Sequence, residues 1–160
     1  MRRLLLPSPL ALLVAGCVET APNAPPHLAR GPLTIERVGS GYNGGLTDPA
    51  RLLIRSPRQF AEVWAKAWSG LRPGPPLPSV DFRTNVVVVV AMGTRGSSGY
   101  AIEVRRITEE GDRLFVDVES VVPSGCVVAQ ILTQPFEIVR VPTRASSTEF
   151  LERSVARVCP

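Results

Sequence analysis

Apolar residues follow three rhythms along this chain. The first is an unbroken run, VVVVVAM at residues 86–92. β-Branched residues suit a pleated sheet, and a run without polar interruption suits a strand covered on both faces. It predicts a central strand within residues 81–100. The second rhythm is alternation. It marks strands at residues 33–38 (LTIERV), 100–107 (YAIEVRRI), 113–122 (RLFVDVESVV) and 150–158. In the 113–122 segment Leu114, Val116 and Val118 share one face, while Arg113, Asp117 and Glu119 share the other, so one sheet face is wet. Glu109-Glu110-Gly111-Asp112 joins two of these segments as a hairpin turn. Residues 51–55 form a short strand, and residues 127–132 and 136–141 are further apolar segments around Gln134-Pro135. The third rhythm is helical: Phe60, Val63, Trp64, Ala67, Trp68 and Leu71 recur on one stripe. Ser56 is its N-cap, Pro57 its first helical residue, and Gln59 the partner in a capping box. Gly70 and the Pro/Gly run at 72–76 end it. The predicted fold is α+β: a single small domain with a twisted, mostly antiparallel β-sheet, open to rolling up on itself, and one α-helix packed on it.

The first 16 residues have a different pattern. Arg2 and Arg3 precede a short apolar core and small residues, as in an export signal. The core is too short for a spanning helix, which needs about 20 apolar residues. Leu13-Val14-Ala15-Gly16-Cys17 resembles the bacterial lipobox. The resemblance implies that Cys17 becomes the mature N-terminus and carries lipid, several chains together holding a protein firmly on a bilayer. With Val18 rather than Asp next, it points to the outer-membrane or periplasmic face of a bacterial envelope. Residues 17–32 then form the lipidated Cys and a Pro/Ala-rich tether, and residues 33–160 the domain. His27, the single histidine, falls in the tether.

Charge and cysteines narrow the picture. The net charge is +4; without Arg2 and Arg3, 16 basic residues face 14 acidic ones. That excess is too small and too evenly spread for nucleic-acid binding. With Cys17 lipidated, Cys126 and Cys159 remain. In an oxidising compartment the pair favours a disulfide over a metal pair or a reactive thiol. Such a bond contributes about 3–4 kcal/mol in the loop-entropy picture. Two cysteines without a nearby histidine make a poor zinc site, so no metal and no cofactor is expected.

From residue 85 to 142 the chain resembles the C-terminal domain family of PrcB, a lipoprotein subunit of a spirochaete surface protease complex. The resemblance rests on the strand at 86–92, the loop Gly93-Thr94-Arg95-Gly96-Ser97-Ser98-Gly99-Tyr100 and the hairpin at 101–118. It also rests on Pro123-Ser124-Gly125-Cys126 and on Thr133-Gln134-Pro135-Phe136 with the 137–142 segment. The family's loop reads like G-x-R-x-x-G-G-Y; here Ser98-Gly99 replaces the paired glycines. The resemblance implies a non-catalytic accessory lipoprotein.

The residues themselves offer little catalytic chemistry. A Ser or Cys nucleophile needs a base held in place, and the histidine is in the tether. Neither a G-x-S-x-G elbow nor a G-K-[ST] phosphate loop is present. Asp117 and Glu119 share a strand face, read as solvated. The 93–100 loop carries the candidate partner-binding residues Arg95, Ser97, Ser98, Gly99 and Tyr100. Glycines let another backbone approach, and Arg and Tyr anchor interfaces. The expected function is a membrane-anchored, non-catalytic binding or assembly module for another exported protein, a protease complex among the candidates. The alternative is a small envelope inhibitor or ligand-binding protein that uses its glycine-rich loops.

Overall fold

The structure, a computed structural model, describes residues 31–125 and 127–158. The expected signal, tether, lipidation site Cys17 and the Cys126–Cys159 disulfide all involve residues outside that set. The described residues form seven strands and one helix: β1 (Glu36–Gly41), β2 (Pro49–Ile54), α1 (Pro57–Ala67), β3 (Val86–Met92), β4 (Ala101–Glu110), β5 (Arg113–Ser124), β6 (Phe136–Val141) and β7 (Ser147–Val158).

The strands form two open sheets rather than one, a departure from the expected single sheet. A four-stranded sheet has the order β1-β6-β3-β2, and a three-stranded sheet the order β4-β5-β7. β3 lies inside the first sheet with all seven residues buried. Its alternate faces feed two separate cores. Val86, Val88, Val90 and Met92 pack with Ile102, Ile107, Leu114, Val116 and Val118 of the second sheet. Val87, Val89 and Ala91 pack with Phe60, Trp64 and Ala67 of α1. The unbroken valine run is therefore the middle of three layers. Burying each valine contributes about 1.5–3 kcal/mol.

The helix starts as expected. Ser56 has extended backbone angles and its Oγ accepts the Gln59 N–H at 3.3 Å. It ends at Ala67, three residues before Gly70, so Leu71 lies beyond the stripe and is exposed. The first strand begins at Glu36, later than expected, although Leu33 and Ile35 still pack against the core.

Two local devices shape the second sheet. The β4–β5 register shifts between Val104 and Arg106. This bulge at Arg105 resets the alternation, so that Val104 and Ile107, three apart, both face the core. The second device is parallel pairing of β7 with β5, from Arg113 opposite Ser147 to Ser124 opposite Val158. Parallel neighbours need a crossover, and here β6, running back through the other sheet, supplies it. Residues 127–132, apolar in sequence, form no strand. They lie in the crossover, where Gly125 and Pro135 interrupt the pairing on either side.

Strand directions give the domain two ends. β1, β3, β5 and β7 finish, and β2, β4 and β6 begin, at one end, called here the loop end. The Gly111-Asp112 turn marks the opposite, hairpin end.

Candidate functional site at the loop end

Three connecting segments meet at the loop end: residues 42–48, 93–100 and 127–135. Each is held by backbone hydrogen bonds to another. The Arg95 N–H donates to the Thr133 carbonyl at 2.8 Å and the Thr133 N–H to the Arg95 carbonyl at 2.9 Å. The Ser98 N–H donates to the Ala129 carbonyl at 2.9 Å, and the Ala129 N–H to Ser98 Oγ at 3.0 Å. Thr133 Oγ1 donates to the Ser97 carbonyl at 2.9 Å. The Thr94 N–H reaches the Thr47 carbonyl at 2.9 Å, and the Gln134 N–H the Tyr42 carbonyl at 2.5 Å. The two glycine-rich loops therefore fold against each other, and the apolar crossover segment closes over them.

Glycine is required at the hinges of the 93–100 loop. Gly93 has φ +71°, and a Cβ there would lie 2.8 Å from Pro49 Cδ. Gly99 has φ +91° beside Pro123. Both angles belong to the left-handed region that side chains disfavour.

The five residues singled out in sequence sit together, in distinct roles. The Arg95 guanidinium carbon lies 5.8 Å from the centroid of the Tyr100 ring, a cation–π contact. Tyr100 is half-buried and packs against the inter-sheet core. Ser97 and Ser98 tie the loop to the crossover through the bonds above. Ser98, Gly99 and Tyr100 line a cleft of about 320 Å³ with Tyr42, Ile131 and Arg157. Arg95 faces a different cleft, of about 640 Å³, with Arg51, Ser120, Glu152 and Ser154.

Two exposed apolar side chains that sequence reasoning did not single out line the first cleft: Tyr42, 59% exposed, and Ile131, 52%. Leu132 and Val127, 69% and 106% exposed, lie on the same crossover segment as Ile131. Single exposed apolar residues are ordinary, but several on one set of interlocked loops make a candidate interaction surface.

A second unforeseen feature is Glu137, only 1% exposed. It projects from β6 toward the other sheet, accepts the Val104 N–H at 2.5 Å and binds Arg37 Nε. That hydrogen bond holds the Arg37 guanidinium above its ordinary pKa, with Coulombic attraction to the same carboxylate second. At the hairpin end the Asp112 carboxyl is held below its ordinary value, chiefly by the Ser146 hydroxyl that donates to it. Asp117 and Glu119, the carboxylates sharing a strand face, are bound to arginines: Asp117 to Arg106 at 2.9 Å, Glu119 to Arg153 at 2.5 Å. Among the described residues there is no cluster of metal-ligating side chains and no helix long and apolar enough to cross a membrane.

Fold and site together define a small two-sheet β domain with one packed helix and an interlocked, partly apolar loop surface at one end. Residues 86–142 match the family model described as PrcB C-terminal. That segment runs from β3 to the residue after β6 and includes the β4–β5 hairpin and the crossover as far as residue 142. No curated protein and no solved structure matches the chain.

Proposed function

We propose that this protein is a membrane-anchored, non-catalytic binding module that docks on another exported protein, a subunit of an extracytoplasmic protease complex being the partner class. The single observation that carries the reading is that Tyr42 and Ile131 line one cleft and, like Val127 and Leu132, stand exposed on hydrogen-bonded loops at one end of the domain. Apolar anchors on a rigid surface lose little conformational freedom on binding. The family match over residues 86–142 supports association with a protease complex.

An inhibitor that wedges a loop into an active-site cleft needs a projecting loop. Here residues 42–48 and 93–100 are tied to each other instead, through Thr94 and Thr47, which favours a docking platform.

The test is affinity purification of the lipidated full chain from its own gently solubilised membranes, beside a variant with Ile131→Asp and Leu132→Asp. An exported protease or surface protein should co-purify with the wild type and fall at least tenfold in the variant. Equal recovery with both proteins would overturn the platform. A co-purified protease that is inactive while bound would favour the inhibitor reading.

A further inference from the structure

The larger cleft at the loop end lies where the apolar filling between the two sheets stops. Its walls come from both sheets: Arg51 and Met92 on one side, Ser120, Val122, Glu152 and Ser154 on the other, with Arg95 from the loop. Ser120 and Ser154 are direct neighbours in the β5–β7 register.

The two arginines in this cleft are in opposite states. Every donor group of Arg51 is engaged. Its Nε and Nη2 bind Glu152 at 2.9 and 3.0 Å, and its Nη1 reaches the Ala50 and Ala91 carbonyls, both at 2.7 Å. Arg51 and Glu152 neutralise each other and clamp β2 to β7. Arg95 has no such acceptor among the described residues. Its Nε is fully buried without a hydrogen-bond partner, and the guanidinium rests over the Tyr100 ring. A buried, unsatisfied donor on a charged group costs free energy; the Nε itself is closed to solvent, so the donors open to a ligand are the terminal Nη groups of Arg95, a residue that lines the cleft. The stacking with Tyr100 and the paired backbone bonds to Thr133 hold this residue in position.

We propose that the inter-sheet cleft binds a carboxylate group of a peptide ligand, with Arg95 as its counter-ion and the Ser120 and Ser154 hydroxyls as neutral donors. A guanidinium presents a planar fork of donors that matches a carboxylate. The cation is not neutralised by the Arg51–Glu152 pair, which is already complete. Stacking on Tyr100 lowers the conformational cost of holding the fork still. The inference deepens the partner-binding reading, since it states the chemistry the partner brings to Arg95.

The test is an NMR titration of the full chain, in detergent micelles, with its arginines labelled at Nε with ¹⁵N. The Arg95 resonance is identified by its disappearance in Arg95→Lys. Sodium acetate is added against sodium chloride at equal ionic strength. Separate arms use N-acetyl-glutamate amide (a side-chain carboxylate), N-acetyl-alanine (a terminal carboxylate), N-acetyl-glutamine amide and inorganic phosphate. The Arg95 Nε–H should shift saturably with acetate and with at least one carboxylate peptide, and not with the glutamine compound or chloride. Which peptide binds more tightly tells a side chain from a chain terminus. Arg95→Gln should weaken acetate binding at least tenfold, followed through backbone amides of the cleft. No saturable shift with any carboxylate, an equal shift with chloride or the glutamine compound, or tighter binding of phosphate would overturn the proposal. A negative titration alongside a positive co-purification would remove the carboxylate site and leave the apolar platform standing.

Discussion

The carboxylate of Glu137, in β6 of one sheet, accepts the backbone N–H of Val104, in β4 of the other, at 2.5 Å. Val104 borders the bulge at Arg105, so a buried acid holds the irregular edge of one sheet against the face of its neighbour. Glu137 also binds Arg37, which satisfies its second oxygen. Removing this carboxylate strands the buried Val104 N–H, whereas Arg37, 56% exposed, turns to water. Glu137→Ala should destabilise the domain by about 2–3 kcal/mol, from the unsatisfied buried donor and the space left behind. Glu137→Gln keeps an acceptor for Val104 and should cost less, about 1–2 kcal/mol. Urea unfolding followed by tryptophan fluorescence checks the order of the two variants.

Gly93 begins the 93–100 loop at φ +71°, with a Cβ position 2.8 Å from both Pro49 Cδ and Pro49 N. Gly93→Ala therefore meets backbone as well as an unfavourable dihedral. It should lower stability by about 1–3 kcal/mol. It should also speed amide hydrogen exchange at Thr94 and Arg95, whose N–H groups bind the neighbouring loops.

At the hairpin end, Asp112 receives hydrogen bonds from the Ser146 hydroxyl and from the Ser146 N–H at 3.0 Å. Its folded carboxyl is held below the ordinary value of 3.8. A depressed carboxyl pKa contributes stability above the unfolded value and loses it as pH falls through the folded one. The thermal-midpoint gap between wild type and Ser146→Ala should be full above about pH 5. It should narrow as pH falls below 3.8. A pH series of thermal melts on both proteins measures it, and a gap that widens on acidification would contradict the assignment.

Ile131 and Leu132 are exposed and outside both hydrophobic cores. Ile131→Asp and Leu132→Asp should each change stability by no more than about 0.5 kcal/mol. Phe60→Ala, by contrast, opens the core between α1 and the first sheet, where Phe60 is 2% exposed. It should cost about 3–5 kcal/mol. The contrast, read by chemical denaturation, separates apolar residues that the fold does not need from those that hold it together.

Much of the architecture was legible from local pattern. The valine run implied a strand covered on both faces because nothing in it could face water, and β3 does separate two cores. Ser56 and Pro57 marked the helix start because capping chemistry is local. The division into two sheets was not legible. Pairing partners are set by long-range packing, and alternation looks the same in either sheet. The Arg105 bulge left only a trace, two consecutive arginines where one was due. Glu137 lay in a segment read only as apolar, and its role left no local mark, since its partners, Arg37 and Val104, are distant in sequence. For the site, Arg95 and Tyr100 stood out because glycines surround them. Ile131 and Leu132 did not, because an apolar segment looks like core until the fold shows it uncovered.

The most direct test of the docking platform is photo-crosslinking in intact membranes. A photoreactive residue is placed at Ile131 on the loop end in one full-length protein, and at the exposed Glu110 on the opposite hairpin in another. The account predicts a discrete adduct with one exported protein from position 131 and none from position 110. Adducts of equal yield from both positions, or from position 110 alone, would contradict it.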